Sequence, residues 1–582
     1  MAESIISPGV FTRENDISFI QPAPVVAGAA IIGPTVKGPV ETPTLVTSYN
    51  DYVRKFGVTF TSASTSYEFM TSLAVKNYFQ QGGGSVLVTR IVSGAYDPAT
   101  STHVSASANE SLQPFELETI GEGTLYNNST ALLDPGEQNS DNSLVSGSSD
   151  NVRWEISNVS NTQGTFSLSI RQGDDSLKSR TVLETFNNVS LDPNSSNYIE
   201  KVIGNQSTAL VTGADGTYVR ISGEYINRSN FVRVSAVNLP TVNYLSTDGV
   251  TVNLDTAGTS YSASLPIVQS GSFFDAAGGI ASGANFFGNI NNTNTQGLVV
   301  ANYTDIINLL ENTEDYIFNI ISAPGLIYAN ATHITPIDSI ISLAETRGDC
   351  IAVVDVQNYA ATVSNVTAQA SVLNSSYAAT YWPWLQVQSA TGRNEWVPAS
   401  VIIPGVYAFT DNSSAPWFAP AGLVRGGITG VIQAERRLTR TQRDTLYTNK
   451  VNPIASFPGQ GISVFGQKTL QTKASALDRV NVRRLLIELK KFIGDQARTL
   501  IFEQNTLTTR NRFLSTVNPY LESVVQRQGL YAYRVVMDDT NNTADVVDRN
   551  QLIGQIYIQP AKTAEFIILD FTIEPTGATF AG

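Results

Sequence analysis

Tyr316-Ile-Phe-Asn-Ile-Ile321, Ile337-Asp-Ser-Ile-Ile-Ser-Leu-Ala-Glu-Thr346 and Ile351-Ala-Val-Val-Asp-Val356 follow one another as strand, helix and strand. At this spacing the two strands are expected to be parallel, joined by a crossover helix. Just upstream, Tyr303–Asn312 reads as a helix. The same α/β pattern occurs near the front of the chain. Val25–Ile32 is an apolar strand ending at Gly33-Pro34, and Ser66–Gln81 is a helix with Phe69, Met70, Leu73, Val75 and Phe79 on its apolar surface. Gly82-Gly-Gly84 stops that helix and Ser85-Val-Leu-Val-Thr-Arg-Ile-Val92 follows as a strand. One sheet therefore begins before residue 95 and is completed after residue 296. Between them lie residues 95–296, rich in Ser, Thr, Asn and Gly, with alternating pieces such as Thr165–Arg171 and Phe231–Ser235. These read as one or two β-rich domains inserted into the core. The expected fold class is multidomain, α/β and α+β. The expected divisions are an extended arm at 1–22, a core at 23–94 plus 297–420, the insertion, a C-terminal α+β domain at 421–563 and a C-terminal arm at 564–582.

The charge is unevenly spread. Residues 1–420 hold 16 Lys+Arg against 36 Asp+Glu, and residues 421–582 hold 20 against 14. Residues 91–300 carry 8 against 20, and residues 421–512 carry 16 against 6. Such polarity suits a protein with one face toward an acidic partner and another toward water. At 42% hydrophobic and 15% charged the chain can build real cores. Its single cysteine, Cys350, sits in an apolar run and reads as a buried small hydrophobe. The N-terminus lacks a basic region followed by an apolar stretch, and about 18 apolar residues never run together, so neither a signal peptide nor membrane insertion is expected.

The residues offer little for catalysis. Two histidines, His103 and His333, are too few for a histidine metal cluster. Gly82-Gly-Gly84 lacks the Gly-Lys-Ser/Thr of a phosphate loop and lies after a helix rather than before one. Asp538-Asp539 and Glu311/Glu314/Asp315 fall at element ends, where solvated turn carboxylates are the default. No enzyme activity, metal or cofactor is expected.

Leu477–Phe502 is the strongest local signal. Projected as a helix, Leu485, Leu486, Leu489, Phe492, Ile493 and Leu500 share one face, and Arg483, Arg484, Lys490, Lys491 and Arg498 gather opposite. A solvated helix face, a nucleic-acid surface and a docking stripe for an acidic protein all fit that pattern. Net acidity and the absence of a groove-reading motif argue against nucleic acid. Asn518-Pro519 reads as an N-cap with Pro at the first helical position, opening a short helix that stops at Gly529. Strands follow at Tyr531–Met537, Gly554–Ile558 and Phe566–Ile573, the last with Ile567, Leu569, Phe571 and Ile573 on one face. Near the front, Val10-Phe-Thr-Arg-Glu14 alternates as a strand would. A β-prone segment at each end is a hazard unless paired, and pairing between subunits is a productive solution.

These segments resemble the contractile tail sheath family of bacteriophages, shared more distantly with R-type bacteriocins, extracellular injection systems and type VI secretion sheaths. The resemblance lies in Pro8-Gly-Val-Phe11 with Glu14, Gly33-Pro34, Gly38-Pro39 and Phe56-Gly57. It continues through Ala323-Pro-Gly325, Ser375-Ser-Tyr-Ala-Ala379, Tyr381-Trp-Pro-Trp384, Trp396-Val-Pro398, Gly405-Val-Tyr-Ala408 with Asp411, and Trp417-Phe-Ala-Pro420. Val451-Asn-Pro453, Gly461-Ile462 with Gly466, Thr469-Leu470, Val482-Arg-Arg484 and Phe502-Glu503 complete the series. Each is weak alone; their order is specific. Residues 95–296 match nothing of the kind.

The resemblance implies a subunit of the virion tail, assembled in the host cytoplasm as stacked hexameric rings around a tube and contracting to drive that tube through the host envelope. Its implied partners are copies of itself, the tail tube protein, and baseplate and tail terminator proteins. Arg483, Arg484, Lys490, Lys491 and Arg498 would contact the tube. Val10, Phe11, Thr12, Arg13 and Glu14, with Phe566, Ile567, Leu569, Phe571 and Ile573, would exchange strands between subunits. The alternatives are the sheath of a bacteriocin or extracellular injection device and, in another class, a β-rich adhesin or virion decoration protein.

Overall fold

A computed structural model of the chain describes residues 25–62, 64–92, 94–106, 113–128, 139–141, 143–214, 216–280 and 303–565. Its centre is an eight-stranded sheet formed by β1 (Ala29–Gly33), β2 (Thr44–Val46), β3 (Val86–Arg90), β4 (Ile320–Ile327), β5 (Ile351–Asp355), β6 (Ala378–Trp382), β7 (Val451–Phe457) and β8 (Gly461–Val464). The spatial order is β8-β7-β6-β5-β4-β1-β3-β2. The six inner strands are parallel, and β2 and β8 close the two edges antiparallel. The expected sheet, begun before the insertion and finished after it, is present in the β1–β4 pairing of Ala30 with Ile321.

Alternate residues of each inner strand enter opposite cores, which is why these strands read as unbroken apolar runs. Ala30, Ile32, Ile321, Ala352 and Val354 face one layer, which contains α2 (Ile334–Arg347) and α3 (Val363–Val372). Ala29, Ile31, Ile320, Ile351 and Val353 face the other, with α1 (Met70–Gln80) and α4 (Ile403–Ser413). Cys350 is fully buried in the first layer, as expected. Gly38 explains one of the motif glycines. Its φ of 107° suits glycine, and an added Cβ would lie 2.7 Å from the Phe56 ring and 2.8 Å from the Lys55 carbonyl.

Three sequence expectations are corrected here. The core does not end at residue 420, because β7 and β8 belong to the large sheet, and Val431–Ala434 pairs with Leu385–Gln388. The reason is that Val451-Asn-Pro-Ile-Ala455 is buried on both faces as a parallel strand, a pattern that does not announce its sheet. The helix expected from Ser66 begins at Met70, after a hairpin strand at Thr65–Glu68. Pro519 does not open a helix. It lies inside α6 (Leu507–Gln526), with Thr506 as the N-cap, its side chain accepting from Thr509 N. Pro519 and Ser515, the residue one turn before it, are both exposed, so water can serve the carbonyl that proline leaves without a donor.

Within the stretch expected as the insertion, Val182–Ser190, Thr165–Gln172, Val152–Ser160 and Gln269–Gly271 form a four-stranded sheet. Val232–Val237, Phe115–Glu122 and Pro98–Thr100 form a second sheet, and both contribute to one core with Phe115, Trp154, Phe166, Ile170 and Val234. His103 is buried there, stacked on Phe115 and beside Trp154, with burial pushing its pKa down to about 3. The insertion is tied to the sheet by Arg90 at the end of β3, whose Nη1 donates to Gly38 O at 2.6 Å and Glu122 O at 2.9 Å.

One buried carboxyl makes the core sensitive to pH. Asp355 ends β5 fully buried, its Oδ1 accepting from Ser400 N at 3.1 Å while Oδ2 has no partner. Burial pushes its pKa up to about 7. The folded chain therefore holds this proton up to about pH 7, whereas the unfolded chain releases it near pH 4, so stability falls between those values and is level above. The cost at pH 8 is on the order of 3–4 kcal/mol. Asp355→Asn is expected to lose less stability than wild type when urea midpoints at pH 5 and pH 8 are compared. Equal losses would exclude Asp355 as the source.

Candidate assembly interface

The helix singled out in the sequence, α5, spans Val480–Arg498. It is a strut between two cores. Val480 and Ile487 pack with the large sheet, while Leu485 and Leu489 pack with Trp417, Phe513, Val517, Leu521 and Leu530 in the C-terminal core. The first two turns are consequently buried almost all round, and only the last half has an outward face.

This divides the five cations assigned to one stripe. Arg484 is buried, and its Nη2 donates to both oxygens of Asp411 at 2.7 and 2.6 Å while the guanidinium lies over the Tyr407 ring. Arg483 is buried too. Its Nε and Nη2 donate to Ser376 O and Oγ, and its guanidinium sits 3.9 Å from the centre of the Tyr377 ring. Neither side chain is on the surface of this chain, which corrects their place in the stripe. A helical projection measures contrast around one axis and assumes a single partner, whereas α5 has partners on both sides. Lys490, Lys491 and Arg498 are exposed, with Lys490 Nζ reaching Tyr377 Oη at 3.1 Å.

Beyond α6, β9 (Leu530–Val536) and β10 (Gln555–Pro560) form a two-stranded antiparallel sheet, with Tyr531 and Tyr557 exposed. Among the described residues neither strand has a second neighbour, so each keeps an open edge. The chain then runs to Glu565, the last described residue, which is firmly seated. Arg479 Nε donates to Glu565 Oε1 at 2.7 Å, Gln467 Nε2 to the same oxygen at 3.0 Å, and Tyr447 Oη to Oε2 at 2.8 Å. Burial alone would raise this carboxyl, but the bonds from Arg479, Gln467 and Tyr447 outweigh it and hold it below the ordinary range. A cleft of about 730 Å³ opens beside this seat, lined among others by Trp417, Phe418, Arg425, Arg443, Tyr447 and Glu565. The seat has no local signature in the sequence, because Glu565 lies 118, 98 and 86 positions from Tyr447, Gln467 and Arg479. Val10–Glu14, Phe566, Ile567, Leu569, Phe571 and Ile573, assigned to strand exchange, lie outside the described residues.

Among the described residues no group of three or more His, Cys, Asp or Glu is arranged to hold a metal, and no helix is long and apolar enough to cross a membrane. His333 is buried, with Nδ1 accepting from Ile327 N at 3.0 Å, and burial lowers its pKa to about 4.

The large α/β sheet is thus tied to a smaller C-terminal unit through α5 and through Trp417, whose indole donates to Arg527 O at 3.0 Å. The phage tail sheath protein central domain matches residues 274–470, and the phage tail sheath C-terminal domain matches residues 472–574, together more than half of the chain. The chain belongs to the phage tail sheath family. The division between the two matches falls just before α5, where the structure passes from the large sheet to the C-terminal core.

The tail sheath protein of Vibrio phage KVP40 is 41% identical over 235 residues, covering 40% of this chain and 35% of that protein. The tail sheath protein of Enterobacteria phage T4 is 37% identical over 246 residues, covering 42% of this chain and 37% of that protein. The matched stretch thus spans little more than a third of either relative. Among solved structures, the helical sheath of the anti-feeding prophage in its contracted state overlaps 97% of this chain and 98% of its own, at 16% identity and a TM-score of 0.47.

Proposed function

We propose that this chain is the structural subunit of a contractile phage tail sheath, polymerising as stacked hexameric rings around a tail tube and contracting to drive the tube through the host envelope. The observation that carries this reading is the pair of adjoining family matches, in order, across the core and the C-terminal unit. The exposed half of α5, with Lys490, Lys491 and Arg498, faces the tube. The open edges of β9 and β10 receive strands from neighbouring subunits, supplied by Val10–Glu14 and by 566–574. The acidic insertion faces outward. Baseplate and terminator proteins close the two ends of the polymer.

Each exposed ion pair contributes about 1 kcal/mol or less, but the contacts repeat in every subunit of the lattice. Replacing Lys490, Lys491 and Arg498 together by glutamate is therefore expected to abolish assembly on tubes at physiological salt while the monomer melts as wild type does. Electron microscopy of purified chain with tail tubes reads the outcome. Striated sheaths of normal length from the triple variant would remove the basic face from the interface. Failure of the wild-type chain to form such polymers under any condition would refute the sheath reading itself.

A further inference from the structure

The turn joining α5 to α6 and the first residue of α6 present three large apolar side chains to water. Phe502 is fully exposed at 103%, Ile501 is 61% exposed and Leu507 62%. Phe502 also has a left-handed backbone, with φ 68°, which a bulky L-residue seldom adopts. Exposure and strain both count against this residue in the free chain, a combination found where a surface is kept for binding. The turn is well fixed. Leu500 is buried in the C-terminal core, Glu503 N donates to Leu500 O at 3.0 Å, and Asn505 Nδ2 donates to Gln551 O at 2.8 Å. Arg510 Nε in turn donates to Asn505 Oδ1 at 2.8 Å. An aromatic side chain held out on a braced turn loses little freedom on docking, which is the character of an interface anchor.

The surrounding charge indicates what it docks against. On the α5 side Lys490, Lys491 and Arg498 are exposed against Asp495, whereas the loop beyond Asn505 exposes Asp538 and Asp539, the latter paired with Arg510. A complementary surface has an apolar socket with carboxylates along the edge that meets α5. We infer that Ile501 and Phe502 form a hydrophobic anchor that seats in such a socket on the tail tube protein, beside the basic face of α5. This inference rests on the sheath reading and adds to it an apolar contact that salt does not screen.

The test uses the full chain and purified tail tubes of the same phage. In co-sedimentation, Phe502→Ala and Phe502→Gly are expected to bind tubes about thirty-fold more weakly than wild type, the loss typical of an aromatic anchor. Phe502→Leu should retain most of the binding. Phe502→Gly should melt at the wild-type temperature or above it, since glycine relieves both the φ and the exposure. Stability and binding thus move in opposite directions, which a purely structural role would not produce. Tube binding by the Ala and Gly variants equal to wild type would overturn the anchor and leave the sheath reading standing. Equal loss of tube-free self-assembly would place Phe502 against a second copy instead, and a lowered melting temperature for Phe502→Gly would make it a folding residue; either overturns the proposal. A wild-type chain that ignores tubes would overturn both readings.

Discussion

Asp411→Ala should loosen the joint between the α/β core and the C-terminal unit by about 3–5 kcal/mol, the usual cost of stranding one member of a buried ion pair. The side chain of Arg484 is 3% exposed and that of Asp411 22%. Removing the carboxylate leaves the guanidinium with only the face of Tyr407, and its Nη1 already lacks a partner. Most of the loss comes from keeping that cation buried without an opposing charge. It acts on the two turns of α5 that hold both cores together. Native-state hydrogen exchange of the Val480–Leu489 amides should therefore quicken by a hundred-fold or more. Adding Arg484→Met to the same chain should recover most of the loss, because a neutral side chain of similar length refills the site without an unpaired charge. If Arg484 instead projected to a partner, Asp411→Ala would leave exchange in α5 unchanged and the double variant would be no better than the single one.

The contrast between Arg484 and Lys491 shows which parts of the molecule the sequence discloses. Helix and strand in the core were readable because Ile351-Ala-Val-Val-Asp355 is buried on both faces and α2 on one, and both conditions leave a simple periodic trace. The same logic failed on α5. In projection its cations form an outward stripe, yet Arg483 and Arg484 are held inside the chain by Ser376, Tyr377, Tyr407 and Asp411. Burial of a cation depends on partners about 70 to 110 positions away, which a local pattern does not contain. The motif residues behave differently. Gly38, Tyr381, Tyr407 and Asp411 each make a specific tertiary contact, through a tight backbone approach at Gly38, the 2.7 Å Tyr381–Tyr407 hydroxyl pair and the Arg484 bridge. Each of these motif residues therefore has a tertiary reason for its place in the chain, which periodicity does not carry. The seat of Glu565 lies at the other extreme. Tyr447, Gln467 and Arg479 carry no local signature of it, and only the tertiary structure brings them to one carboxylate.

That seat gives the strand-exchange proposal its most decisive experiment. A chain ending at Glu565 keeps β9, β10 and their open edges but has nothing to donate from 566–582 to a neighbour. It is expected to remain a folded monomer that forms no polymer, by sedimentation and by electron microscopy. It still offers the acceptor edges, so small amounts added to wild type should stop growth: a truncated subunit can receive a strand at one side and pass none on. Wild-type polymers should shorten in proportion to the truncated fraction. Glu565→Gln is the finer companion. It keeps the segment and the shape of the seat but removes the charge that Arg479 holds, replacing charge-assisted bonds with neutral ones about half as strong. Polymers should form but with a reduced melting temperature. The same weakening should appear in wild type only when pH falls through the lowered range of this carboxyl, because a depressed folded pKa contributes stability above the unfolded value and loses it on acidification. Normal polymers from the truncated chain would end the strand-exchange proposal at the C-terminus. Growth that continues undiminished in mixtures would show that the donated strand is not what links one subunit to the next.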